Sequence, residues 1–238
     1  MSFILALLAN LLELDAERPP QAAVSISFVS YSSDPGMVGF GDGTRIHIDA
    51  IWVALQDVQV RPAASCKRSQ ARPVVAGPLT AELVKRSTTD TGRSDVGRYC
   101  AFEFQLRRSR GRAGPRNELR GASIVITGRR ADGVRFVLRS RLDAAPLLRA
   151  RELEGISVTA PRADWIVGVD VSRWMAGVDL ALAEPTGDRE LRIDDKSNAD
   201  LLAAFDANVE AGFALFDDRD GDRNLNQAER ARPIATHQ

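Results

Sequence analysis

At 238 residues the chain is long enough for one large domain, or a medium domain with an appendage, and it can bury a core without help from metal or disulfides. Its 32 Lys and Arg balance 32 Asp and Glu, so no overall field draws in nucleic acid or an anionic membrane. The two cysteines, Cys66 and Cys100, sit in no CxxC or Cys/His cluster, which argues against zinc and leaves either one disulfide or two ordinary cysteines.

The chain opens with an apolar run, Phe3 to Leu12, too short to span a bilayer. No basic residue precedes Arg18 and no small-x-small site follows the run, so residues 1–21 read as a packed helix or signal remnant followed by a linker, Glu17 to Gln21. Ala23 to Tyr31 alternates Val24, Ile26 and Phe28 with serines, the pattern of a half-buried strand. After the turn residues Asp34-Pro-Gly36 and Gly41-Asp-Gly43, Arg45 to Arg61 reads as two short strands or one bent strand. Leu79 to Val84 is a short strand. Arg98 to Arg107 buries Phe102, Phe104 and Leu106 when read in the register that keeps the aromatics inside. Ala122 to Gly128 and Val134 to Leu142 flank a turn ending in Asp132-Gly133, a hairpin signal, with Phe136 and Leu138 inward and Arg135, Arg139 and Arg141 outward. Ile156 to Thr159 and Trp165 to Val171 complete the series, and Asp170 to Met175 reads as the start of a short helix.

Many strands at short spacing without long intervening helices predict a mainly β chain. The expected fold is an antiparallel β-sandwich over residues 22–187, with a barrel as the alternative. From residue 188 the pattern changes. Over Ser197 to Asp217, Leu201, Leu202, Phe205, Val209, Phe213 and Phe216 recur three and four apart, which predicts one amphipathic helix capped at Ser197 or Asn198 and docked by that stripe.

Directly after it comes Asp218-Arg-Asp-Gly-Asp-Arg-Asn-Leu-Asn-Gln-Ala-Glu229. Alternating oxygen side chains suit a hard cation that takes six to eight oxygen ligands. The segment resembles the twelve-residue EF-hand loop: Asp218, Asp220 and Asp222 at positions one, three and five, Asn224 at seven through its carbonyl, Leu225 at eight, Asn226 at nine and Glu229 at twelve. The resemblance implies one Ca²⁺ site in residues 188–238. It departs from the family at position six, where Arg223 replaces the usual glycine, and in lacking a partner loop, so a weak or structural site is expected.

Catalysis finds little support. His47 falls on a strand's polar face, His237 lies in a terminal tail, and no nucleophile elbow, Walker loop, dinucleotide fingerprint or HExxH is present. The arginine-rich stretch Arg107 to Arg116 holds no aromatic to stack on a base and reads as a solvated loop, not a nucleic-acid site. Trp52, Trp165 and Trp174 read as core anchors. The succession Gly77 to Leu83, Gly97 to Leu106, Leu119 to Phe136 and Val169 to Met175 is similar to bacterial secreted or lipoprotein β-sandwich families. The expectation is therefore a non-catalytic, periplasmic, cell-surface or secreted protein without a transmembrane span, holding one structural calcium. A module that binds an envelope component, carbohydrate or peptide is the alternative.

Overall fold

The computed structural model describes residues 19–41, 43–64, 66–84, 90–109, 119–186 and 190–237. The expected N-terminal apolar helix and most of the Arg107 to Arg116 loop lie outside these residues. In chain order the first strands are β1 (Gln21–Tyr31), β2 (Val38–Gly39), β3 (Ile46–Pro62), β4 (Arg72–Val75), β5 (Leu79–Glu82), β6 (Asp90–Asp95) and β7 (Gly97–Leu106). There follow β8 (Ile124–Arg130), β9 (Arg135–Ser140), β10 (Leu147–Ala150), β11 (Ile156–Val158), β12 (Arg162–Asp170) and a short helix α1 (Val171–Trp174). The chain continues through β13 (Pro185–Thr186), β14 (Glu190–Ile193), α2 (Ala199–Asn208), β15 (Phe213–Asp217), α3 (Gln227–Arg230) and β16 (Ala235–His237).

The protein is mainly β. Its strands form one sheet with the order β13-β14-β9-β8-β3-β7-β10-β16-β15-β12-β1-β6, and β2, β4 and β5 join it on β3, β11 on β7. Most pairings are antiparallel, as expected; β1 with β12, β9 with β14 and β2 with β3 run parallel. The sheet curls into an open half-barrel. Where it bends back, Ser30 N–H donates to Leu83 O at 2.9 Å and Leu83 N–H donates to Ile51 O at 2.9 Å, linking β1 to β3 through the end of β5.

The run Arg45 to Arg61 is one bent strand, and its sequence explains the bends. Ile46 and Ile48, then Ile51, Val53 and Leu55, then Val58 and Val60 all face the core. Alternation slips by one residue twice, and the register shifts between Ile48 and Ala50 and between Gln56 and Gln59 fall at those slips. Each bulge absorbs the extra residue that would otherwise turn an isoleucine or valine to the outside. Asp57, at the second bulge, takes a positive φ of 49°.

The inner face of the sheet lines a single core, with Phe28, Phe102, Phe104, Phe136, Trp165, Phe205 and Phe213 fully buried. The Asp132-Gly133 hairpin forms as read, with Gly133 at φ 83°. The outer face carries two smaller clusters. One gathers Trp52, Ala54, Leu119, Ala122 and Val125; the other gathers Val29, Ile166, Ala214, Phe216 and Leu225 against Tyr31. All three tryptophans are anchors: Trp52 is 9%, Trp165 1% and Trp174 0% exposed.

The long C-terminal helix is the main correction. The helix α2 ends at Asn208, a 3₁₀ turn spans Glu210–Gly212, and Phe213–Asp217 is the strand β15, paired with β12. Two contacts stop the helix. The Trp174 indole N–H donates to Val209 O at 2.8 Å, capturing a carbonyl that a continuing helix would use. Gly212 then passes so close to the same ring that a Cβ would lie 2.3 Å from Trp174 Cδ1. Beyond it Phe213 and Leu215 enter the core, while Ala214 and Phe216 turn to the outer face. Phe205 and Val209 keep the expected buried role. Asn198 occupies the N-cap position but makes no capping bond; its side-chain oxygen accepts from Glu184 N–H at 2.9 Å and its amide donates to Arg192 O at 2.6 Å.

Cys66 and Cys100 form a disulfide with Cα atoms 5.8 Å apart, closing a separation of 34 residues. Replacing both by alanine is expected to lower unfolding free energy by about 3 to 4 kcal/mol on the chain-entropy relation, measurable by denaturant titration. The half-buried Asp206 accepts from Ser140 Oγ at 2.6 Å, yet burial outweighs that bond and raises its pKa. A carboxyl raised in the folded state binds its proton more tightly there, so it weakens the fold above its folded pKa and the penalty fades as pH falls toward the unfolded value. Asp206→Asn, which keeps an acceptor for Ser140, is expected to raise Tm at pH 7, with the gain shrinking near pH 4, around the ordinary Asp value.

Candidate metal centre

The acidic loop leaves the sheet at the end of β15 and returns through α3 to β16, which is the antiparallel neighbour of β15. It is thus the connection of a β-hairpin. An EF-hand loop enters from a helix, and here the entering element is a strand, so the helix–loop–helix frame implied by the sequence resemblance is absent. The exit is a short helix, α3, closed by a capping box: Asn226 Oδ1 accepts from Ala228 and Glu229 N–H at 2.9 and 3.1 Å.

Within the loop, a carboxylate oxygen from each of Asp218, Asp220 and Asp222 lies within 4.8 Å of the other two. Like charges at this spacing repel, and a divalent cation among them converts the repulsion into attraction. Arg223 takes φ 61°, the left-handed conformation that position six demands, and its N–H donates to Asp218 Oδ2 at 3.1 Å. Gly221, at φ 72°, supplies a second left-handed turn. Asp222 N–H donates to Asp220 Oδ1 at 3.2 Å, and Asn224 N–H to Asp222 Oδ1 at 2.6 Å. The Asn224 and Asn226 side-chain amides donate to Asp222 and Asp220 at 2.8 and 3.2 Å.

Glu229, 5% exposed, ties the two ends of the loop together. Its Oε1 accepts from Arg219 N–H and its Oε2 from Asn226 N–H, each at 3.1 Å. Each carboxylate oxygen has a second lone pair, so these bonds leave Glu229 ligating capacity.

Asp218 decides the chemistry. It is only 8% exposed, and its Oδ1 is buried with no hydrogen-bond partner. Burial raises its pKa, and Glu229 and Asp220 push it further in the same direction against the backbone N–H bonds from Arg223 and Gly221. A buried carboxylate oxygen without a donor is costly unless a cation meets it. An acidic triad that can hold a metal ion is in place.

No protein-family model matches the chain, and no curated protein matches it. Among solved structures the chain is similar to MbnP from Methylosinus trichosporium, with a TM-score of 0.46 and 9% sequence identity, covering 71% of this chain and 82% of that one. A likeness at that level carries nothing about function.

The loop docks on the outer face of the sheet through Leu225, which is 6% exposed. It meets Ile166, Phe216 and Tyr31 over Gly168, where a Cβ would lie 2.6 Å from the Phe216 ring and 3.1 Å from both Leu225 Cδ2 and Tyr31 Cε1. The Arg230 guanidinium stacks 5.6 Å from the centre of the Tyr31 ring and donates to Leu225 O at 2.9 Å. Burial, and secondly the Asp170 carboxylate, push the Tyr31 phenol up to about 12. The sequence reading missed this landing site because its residues come from four separate segments. The glycine interrupting the otherwise apolar Trp165-Ile-Val-Gly-Val169 was the available signal, since a strand-interior glycine often marks a close approach.

Elsewhere, His47 lies beside Asp49 at 3.3 Å and His237 beside Glu210 at 3.1 Å. Contrary to the expected tail, His237 belongs to β16. A cavity of about 500 Å³ opens between the start of β3 and the loop after α1, with Met37, Ile46, Val178 and Leu180 as apolar walls and Arg45 and Arg130 among its lining. No described helix is long and apolar enough to cross a membrane.

Proposed function

We propose that this is a non-catalytic protein of an extracytoplasmic compartment that binds one structural Ca²⁺. The ligands are the carboxylates of Asp218, Asp220, Asp222 and Glu229, with the Asn224 carbonyl; the Asn226 side-chain oxygen that the sequence resemblance also implies is taken up by the capping bonds from Ala228 and Glu229 N–H. The observation that carries the reading is the buried, unpartnered Asp218 Oδ1 in a triad of clustered aspartates. Oxygen-only donors suit a hard cation, and a flexible loop of this length suits Ca²⁺ better than the rigid octahedron of Mg²⁺. The disulfide supports an oxidising location. The left-handed Arg223 supports an affinity in the weak regime of extracellular modules, since a non-glycine residue there costs about 1 to 2 kcal/mol.

Thermal unfolding across a Ca²⁺ series tests the reading. The Tm of the wild type is expected to climb with Ca²⁺ and the Tm of Glu229→Ala to stay flat. A flat wild-type series up to several millimolar removes calcium from the account. A ligand-binding module is the second reading, favoured by the cavity beside Arg45. Trp174, fully buried, offers such a module no exposed aromatic surface.

A further inference from the structure

We infer that cation occupancy of the Asp218 to Glu229 loop controls whether β16 fills its slot between β10 and β15. The inference rests on the metal reading above and concerns what the ion regulates.

The strand β16 is the link between two parts of the sheet. On one side it pairs with β10 through Leu148↔His237, Arg149↔Thr236 and Ala150↔Ala235; on the other it pairs with β15 through Ala214↔Thr236 and Leu215↔Ala235. Arg151 N–H donates to Ile234 O at 3.0 Å and Ile234 N–H to Leu215 O at 2.8 Å, extending the same two ladders by one step. Among the described pairings, β10 and β15 meet only through β16. Taking β16 away leaves two open strand edges in the middle of the sheet.

The strand brings little of its own to hold that place. It is three residues long, only Ala235 is fully buried, with Thr236 and His237 half-buried, and its one described side-chain tie is His237 to Glu210 at 3.1 Å. Its position is set by what precedes it: α3, capped by Asn226 and Glu229, and the Leu225 and Arg230 contacts on Tyr31, Ile166 and Phe216. All of these hang on the acidic loop. An ion drawn between Asp218, Asp220, Asp222 and Glu229 ties the end of β15 to the start of α3 and so seats β16. Without it, clustered carboxylates and the orphaned Asp218 Oδ1 favour an opened loop, and the short strand loses its anchor.

Hydrogen exchange on the full chain, in Ca²⁺ and in chelator, tests this beside a Ca²⁺ titration of the same sample. With Ca²⁺ bound, the amides of Arg151 and Ile234 are expected to exchange at least about tenfold more slowly than in chelator, within the usual span of coupling between sites. Amides of β8 and β9, remote from the slot, serve as the internal reference and should change much less. Because coupling is reciprocal, a chain ending at Ile234 should bind Ca²⁺ more weakly by a similar factor. Saturable Ca²⁺ binding with unchanged exchange at Arg151 and Ile234 overturns the strand device and leaves the metal site standing. Absence of binding overturns both.

Discussion

Trp174→Ala is expected to be the most damaging single substitution considered, lowering unfolding free energy by about 3 to 5 kcal/mol, the range for large aromatic truncations in cores. The ring is fully buried and packs edge-on against Phe205 and Phe213, with centroids 5.7 and 5.3 Å away. Two further losses follow from its place in the chain. Val209 O loses its indole donor, and the close pass of Gly212 over the ring opens into a void. Those two contacts end the helix and start β15, so the substitution loosens the strand from which the acidic loop departs. Urea unfolding measures the cost. Trp174→Phe, which refills much of the space but restores no donor, should recover part of the loss.

Asp218→Asn is the second expected result, and its sign depends on calcium. In chelator the variant should be more stable than the wild type, because an amide removes a buried negative charge and places a donor among carboxylates. In Ca²⁺ at about a hundred times Kd the wild type gains about 2.7 kcal/mol that a variant with impaired binding lacks, so the order reverses. Melting curves of both proteins in chelator and in Ca²⁺ should cross. A variant less stable under both conditions would mean that Asp218 serves only as a hydrogen-bond acceptor for Arg223 N–H.

Much of the sheet was legible because its strands carry their burial in period two. Phe102 and Phe104 and the pair Phe136 and Leu138 alternate cleanly and face the core, as do Val24, Ile26 and Phe28, although β1 is not the half-buried strand expected, since Ser25 and Ser27 between them are buried as well. The double slip in β3 was also written in the spacing of its isoleucines and valines, although only pairing with β7 and β8 showed it as one strand. The failure at Phe213 to Phe216 has a physical origin. Phe205, Val209, Phe213 and Phe216 fit a helical stripe, and Phe213-Ala-Leu-Phe216 fits a strand with an apolar residue on each face. Local pattern could not choose between them. Long-range contacts did, through the Trp174 indole and the β12 edge that awaited a partner.

At the candidate site, the order of acids and amides was legible because ligand geometry fixes their spacing, and the left-handed turn demanded at Arg223 is present at φ 61°. Where the loop lands was not. Tyr31, Ile166 and Gly168 are far from it in sequence, and nothing in the loop itself specifies the outer face of β1 and β12 as its seat. The strand entrance likewise separates this loop from the helix–loop–helix frame its sequence suggested.

Calorimetric titration of Ca²⁺ into the chelator-stripped full chain, run beside Glu229→Ala, tests the central claim most directly. The account predicts one saturable site per chain in the wild type and none in the variant. An absence of wild-type heat and binding up to several millimolar, the weak end for extracellular calcium modules, would contradict it.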